Sequence, residues 1–326
     1  MELAYFRQRP WARDYWVELE AALATFQYRP YVLWRMAAYK GRYIHVDSDG
    51  LRVTPGAECQ ESAYRVWVFG GSTVWGAGSP DGQTIPSYLQ RLISRRRARP
   101  VCVTNFGQLG FTSTQGVIEL TCELQHRARP DFVIFYDGVN DIVSAYGYLR
   151  AGLHLAYPEI RRRVESQRLD APQSTLVEDL LLWSNQYRLI RRLLARPAVA
   201  PVSEPRPPSL AEDVVTTYLA NVRLVTSLAK GYGFRVAFFW QPNLAVGEKP
   251  LTPSESQMRQ NLTYGPFARQ VHNRLVYQAV AAAGVHNLAD VFSSYPGDAY
   301  IDWNHTTPEA NQIIAAAIDG LALRPE

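Results

Sequence analysis

Metal-ligand spacings, long apolar runs, internal repeats and a strong charge of either sign are all missing from this chain of 326 residues. Its three cysteines, Cys59, Cys102 and Cys122, show no C-x-x-C spacing and no even count. They therefore read as buried thiols rather than as a zinc site or a disulfide framework. No window of about eighteen apolar residues occurs, so no membrane span is expected. The opening MELAYFRQRPWARDYW places charges where an export signal needs an apolar core, and a cytoplasmic location is the resulting expectation for the chain as it stands. A net charge of +4, with 47% hydrophobic and 20% charged residues, is ordinary globular composition. The arginine triplets Arg95 to Arg97 and Arg161 to Arg163 fall in helix-like stretches with no interleaved binding motif, so they read as solvated faces and nucleic acid is not an expected partner.

What is present is an alternation of short apolar runs and amphipathic stretches. Runs at 66–69, 101–105, 131–136, 235–241 and 285–288 are too short for helices and too uniformly apolar for half-wet strands. Helix-like segments at about 85–97, 114–127, 211–230, 254–283 and 308–323 separate or follow them. This rhythm predicts right-handed parallel crossovers and a three-layer α/β/α sandwich around a five-stranded parallel sheet. Residues 1–60 are expected to form a helical or irregular cover, and residues 61–326 one domain. An insertion at about 144–210 contains the amphipathic LVEDLLLWSNQYRLIRRLL and a proline-rich stretch that cannot continue a helix. It reads equally as a lid or as a surface elaboration. Its aromatics, among them Tyr146, Tyr148, Tyr157 and Trp183, could stack on sugars, but core packing is the simpler role.

If the strands are parallel, the loops after them converge on one rim, where active sites of such sheets lie. The first run, VWVF, breaks into Gly70-Gly71-Ser72, which would leave Ser72 exposed at that rim. The second ends NFGQLG, with Asn105, Gly107 and Gly110; the third ends YDGVND, with Asp137, Gly138, Asn140 and Asp141. Near the C-terminus stands DWNH, from Asp302 to His305. A serine hydroxyl is a weak nucleophile until a base lies within hydrogen-bond reach, and histidine has the pKa for that task. A carboxylate three residues before His305 can fold back on its ring and hold one tautomer. The oxyanion of acyl transfer needs preorganised donors, for which the Ser72 and Gly107 amides and the Asn140 side chain are candidates.

With these four blocks the chain resembles the SGNH hydrolases, the GDSL-like esterases and lipases. FGGST matches the nucleophile block at Ser72, NFGQLG its glycine block at Gly107, DGVND its GxND block, and DWNH its DxxH block at Asp302 and His305. The resemblance implies an SGNH or flavodoxin-like fold, a catalytic set of Ser72, Asp302 and His305, and an oxyanion hole from Ser72, Gly107 and Asn140. One departure is Gly71, where family members often carry aspartate. Each block alone is a common turn; four in family order at predicted strand ends are not.

The expected function is a serine esterase cleaving an acyl or acetyl ester of a small molecule or carbohydrate, with no metal and no cofactor. Two alternatives use the same residues or scaffold: a carbohydrate O-acyltransferase, and a non-catalytic carbohydrate-binding module. A metal site from Asp137, Asp141, Asp302 and His305 is disfavoured because no recognised ligand spacing supports it.

Overall fold

The computed structural model describes residues 4–166, 207, 209–279 and 284–323. The chain opens with helices α1 (Ala4–Arg7) and α2 (Ala12–Leu23) and continues into two antiparallel pairs. β1 (Phe26–Arg29) pairs with β2 (Leu33–Met36), and β3 (Tyr39–Lys40) with β4 (His45–Val46). These strands correct the expectation of a purely helical or irregular cover. At two to four residues each, they are too short to show an alternating pattern in sequence.

The main domain runs β5 (Tyr64–Gly70), α3 (Ser72–Trp75), α4 (Ile85–Ser94), β6 (Val101–Asn105), α5 (Ser113–Leu124), β7 (Phe132–Asp137), α6 (Val139–Tyr148) and α7 (Tyr157–Ser166). It resumes with α8 (Leu210–Tyr232), β8 (Arg235–Trp240), α9 (Pro253–Gln260), α10 (Gly265–Ala279), β9 (Val285–Asn287) and α11 (Pro308–Ile318). All four pairings among the five expected strands are parallel, in the order β6-β5-β7-β8-β9. Helices α4 and α11 pack together in one layer, and α5, α6, α8 and α10 in the other, giving the three-layer α/β/α sandwich. β7 is buried along its whole length, as a central strand covered on both faces must be. Within the core Phe69 stacks on Phe106 and Phe135 at centroid distances of 4.7 and 5.1 Å.

Three local expectations need correction. The single helix expected at 254–283 is two helices, because Asn261 ends α9 by folding its amide back onto the Gln257 carbonyl and Pro266 favours a new start. The insertion expected from about residue 144 begins inside α6, where Tyr146 is buried against Tyr264 and Phe267. Tyr148 donates to the Leu155 carbonyl at 2.5 Å. The amphipathic LVEDLLLWSNQYRLIRRLL with Trp183, and most of the proline-rich stretch, lie outside the described residues. Finally, Cys59 and Cys102 are joined in a disulfide and only Cys122 is a free thiol. The pairing arises because Glu58 N–H bonds the Val101 carbonyl at 3.0 Å, laying the segment before β5 beside β6. Among the described residues no helix is long and apolar enough to cross a membrane.

Candidate active site

In this strand order the chain reverses direction across the sheet between β5 and β7, and ligands of open α/β sheets bind at such a switch point, beyond the carboxyl ends of the strands. Gly70 pairs with Tyr136 there, so the turn carrying Ser72 and the turn carrying Asn140 leave the sheet side by side. β5 stops because Gly71 turns the chain directly into α3, with Ser72 as its first residue. β7 stops at Gly138, whose φ of +128° disfavours any side chain and whose Cβ position lies 2.8 Å from the Trp240 ring. That turn places Asn140 in the first turn of α6.

Ser72 Oγ lies 2.6 Å from His305 Nε2, across 233 residues of sequence. On the far side of the ring, His305 Nδ1 lies 2.5 Å from Asp302 Oδ2. With the carboxylate accepting from Nδ1–H, Nε2 is left as an acceptor for the Ser72 hydroxyl. The other oxygen, Asp302 Oδ1, accepts from the Asn304 and His305 amides at 2.9 and 2.7 Å, so the carboxylate is fixed by its own turn. Ser72 and His305 are 7% and 5% exposed, a setting in which hydrogen bonds are little weakened by water.

The expected donors fare differently. Asn140 donates one N–H to the Phe111 carbonyl at 2.7 Å, which orients the amide and leaves its second N–H. The Ser72 amide heads a helix and so lacks an intrahelical acceptor. The Gly107 amide, in contrast, is engaged: it donates to Asn105 Oδ1 at 2.9 Å. Three residues on, the Gly110 amide has no acceptor among the described residues. Asn105 also donates to the Val74 carbonyl at 3.1 Å, bracing α3 from below.

Asp137 and Asp141 do not join the Asp302–His305 pair. Asp141 accepts from Ser113 Oγ at 2.6 Å, locking α6 to the start of α5. Burial pushes its carboxyl up to about 6, against the opposing effect of the Ser113 bonds. Burial, and then the neighbouring Asp141, raise the Asp137 carboxyl well above the usual range. Among the described residues no group of three or more His, Cys, Asp or Glu side chains is arranged to hold a metal ion.

Two residues near this site escaped the sequence analysis. Arg52, with a fully buried side chain, donates to the carbonyls of Trp75, Gly76 and Ser79 at 3.1, 2.7 and 2.7 Å, and its Nε bonds Asp81 at 2.9 Å. Its guanidinium also lies 4.3 Å from the Trp75 ring centroid. The N-terminal region thus holds the chain that leaves Ser72. An arginine flanked by Leu51 and Val53 was the only sequence signal. Asn311 on α11 joins the two halves of the site: its amide donates to Ser79 Oγ at 2.9 Å while its oxygen accepts from Thr306 Oγ1 at 2.6 Å.

No family model matches the chain, and no curated protein matches it. Among solved structures the chain is similar to a carbohydrate acetylesterase family member from Sinorhizobium meliloti, at 13% identity and a TM-score of 0.42, covering 79% of this chain and 96% of that one. It is similar to a lipolytic protein of the G-D-S-L family from Veillonella parvula at 12% identity and 0.42, covering 80% and 99%. An acetylxylan esterase from Geobacillus stearothermophilus matches at 15% identity and 0.39, covering 79% and 94%.

Proposed function

We propose that this protein is a serine esterase of the SGNH type, acting on an acyl or acetyl ester of a small molecule or carbohydrate. The observation that carries the reading is the continuous relay from Ser72 Oγ through the His305 ring to Asp302. Ser72 Oγ attacks the ester carbonyl while His305 Nε2 takes its proton. Asp302 stabilises the imidazolium and holds the ring. His305 then returns the proton to the leaving alcohol, giving an acyl-enzyme on Ser72, and activates the water that hydrolyses it.

The negative oxygen of each tetrahedral intermediate is held by the Ser72 amide, the second N–H of Asn140 and the Gly110 amide. Gly110 replaces the Gly107 of the sequence reading because the Gly107 donor already has its acceptor in Asn105. The Cys59–Cys102 bridge supports an oxidising location in place of the cytoplasm expected from sequence.

The test is a panel of 4-nitrophenyl esters of increasing acyl length and a set of acetylated sugars, run beside labelling by a fluorophosphonate. Wild type should hydrolyse at least one class and be labelled at Ser72. Ser72→Ala should do neither while keeping the wild-type fold. Turnover retained by Ser72→Ala would place the nucleophile elsewhere.

A further inference from the structure

Glu255 is 0% exposed and lies 47 positions before Asp302 in sequence, yet each of its oxygens accepts two hydrogen bonds. Oε1 accepts from the Ala299 and Tyr300 amides at 2.9 and 3.2 Å. Oε2 accepts from the Thr252 amide at 3.0 Å and from Lys249 Nζ at 2.7 Å. Lys249 is itself buried, and Nζ also donates to the Pro250 carbonyl at 2.9 Å.

Ala299 and Tyr300 form the leg that leads to Asp302. The segment folds back on itself through Thr307 N–H to the Ala299 carbonyl and Ile301 N–H to the His305 carbonyl, both 2.9 Å, with Tyr300 and Thr306 bridged antiparallel. Asp302 and His305 therefore occupy the tip of a small closed loop. Its inward-facing groups pair within the loop, whereas the Ala299 and Tyr300 amides reach out to Glu255. The start of α9 adds a second hold, since Thr252 Oγ1 and Ser254 Oγ donate to Asp298 Oδ1 at 2.6 and 3.0 Å.

A buried ion pair is weak evidence of stability, because desolvation of both charges offsets their attraction. Its geometry here is informative: the carboxylate is shared between the α9 start and the backbone of the loop bearing the base. Displacements of about 1 Å in a reacting group can cost on the order of a hundredfold in rate. We propose that the Lys249–Glu255 pair is a positioning device that sets the reach of His305 toward Ser72. This rests on the reading of Ser72 and His305 as nucleophile and base.

The experiment compares wild type, Glu255→Gln and the double variant Lys249→Met with Glu255→Gln. Hydrolysis of 4-nitrophenyl acetate is measured, with active sites titrated by a fluorophosphonate and folding followed by circular dichroism. Glu255→Gln keeps the volume but turns one acceptor oxygen into a donor, so one pair of its four donors loses its partner. The double variant removes both charges and so guards against a fold lost to an unpaired lysine. Both should show kcat per titrated site reduced roughly ten- to a hundredfold with KM within about twofold, and phosphonate labelling slowed by a similar factor.

A folded variant with kcat per titrated site within about twofold of wild type would overturn the proposal, as would a change confined to KM. Failure of both variants to fold would also overturn it, making the pair a support of the core alone. Ser72→Ala in the same assay reports on the premise. If it keeps turnover, the nucleophile assignment falls; if it is silent while Glu255→Gln is unimpaired, only the positioning role falls.

Discussion

The Asn140 carboxamide occupies the space where a side chain on Gly71 would begin. The backbone at Gly71 has φ of −83°, open to any residue, so it is this contact and not the torsion angle that demands glycine. Glycine at this position thus has a steric reason. Gly71→Ala should push Asn140 off the Phe111 carbonyl and lower kcat about tenfold or more, while Asn140→Ala should cost about a hundredfold with little change in KM. Steady-state kinetics on a chromogenic ester decide the matter, and an unaltered kcat in both variants would remove Asn140 from the oxyanion hole.

In the proposed relay Asp302 acts through its bond to His305 Nδ1, so its contribution should vanish when His305 is gone. Asp302→Asn should lower kcat on the order of a thousandfold, and His305→Ala at least as much. The double variant should be no worse than His305→Ala alone. Losses that multiply would show Asp302 acting on its own.

Arg52 ties the N-terminal region to the chain after Ser72, and its side chain is fully buried beside Asp81. Arg52→Met takes the guanidinium from Asp81 Oδ1 and from three carbonyls, leaving the carboxylate only His45 at its other oxygen, so thermal unfolding should reveal a loss of up to about 3–5 kcal/mol. Arg52→Lys keeps the charge but not the fork, and should recover only part of it. A melting temperature near wild type in Arg52→Met would contradict the bracing role.

Asp137 and Asp141 have folded-state pKa values above the ordinary 3.8, in both cases chiefly from burial. Their contribution to stability is therefore fully present below about pH 3.8 and lost as pH rises, through about 6 for Asp141 and higher for Asp137. Asp137→Asn cannot ionise, so its melting temperature should gain on wild type as pH rises above about 3.8. A gap that stays constant or narrows with rising pH would show that the Asp137 carboxyl is not raised.

The Cys59–Cys102 bridge predicts one titratable thiol, Cys122, in the denatured unreduced protein. With 43 positions between its ends, chain-entropy reasoning gives a loss of roughly 3–4 kcal/mol on reduction. Thiol titration and melts with and without a reductant check both statements. Three titratable thiols without reductant would contradict the bridge.

Five strands and the residues that end three of them were legible in the sequence, because a parallel strand covered on both faces must be apolar throughout and must stop where the chain turns at the rim. The run VCVTN coincides with β6, and RVAFFWQ exceeds β8 by a single residue. Ser72, Asp302 and His305 were singled out by residue type, as a hydroxyl, a carboxylate and an imidazole that suit one another, and the three side chains do meet in the structure. What the sequence could not decide is set by contacts between distant segments. The pairing of Cys59 with Cys102, the burial of Arg52 and the hold of Glu255 on Ala299 and Tyr300 each join parts of the chain through space. Local pattern records which face of an element is apolar; it does not record which buried donor meets which acceptor. That assignment follows only once the sheet order has brought the two rims of the switch point together.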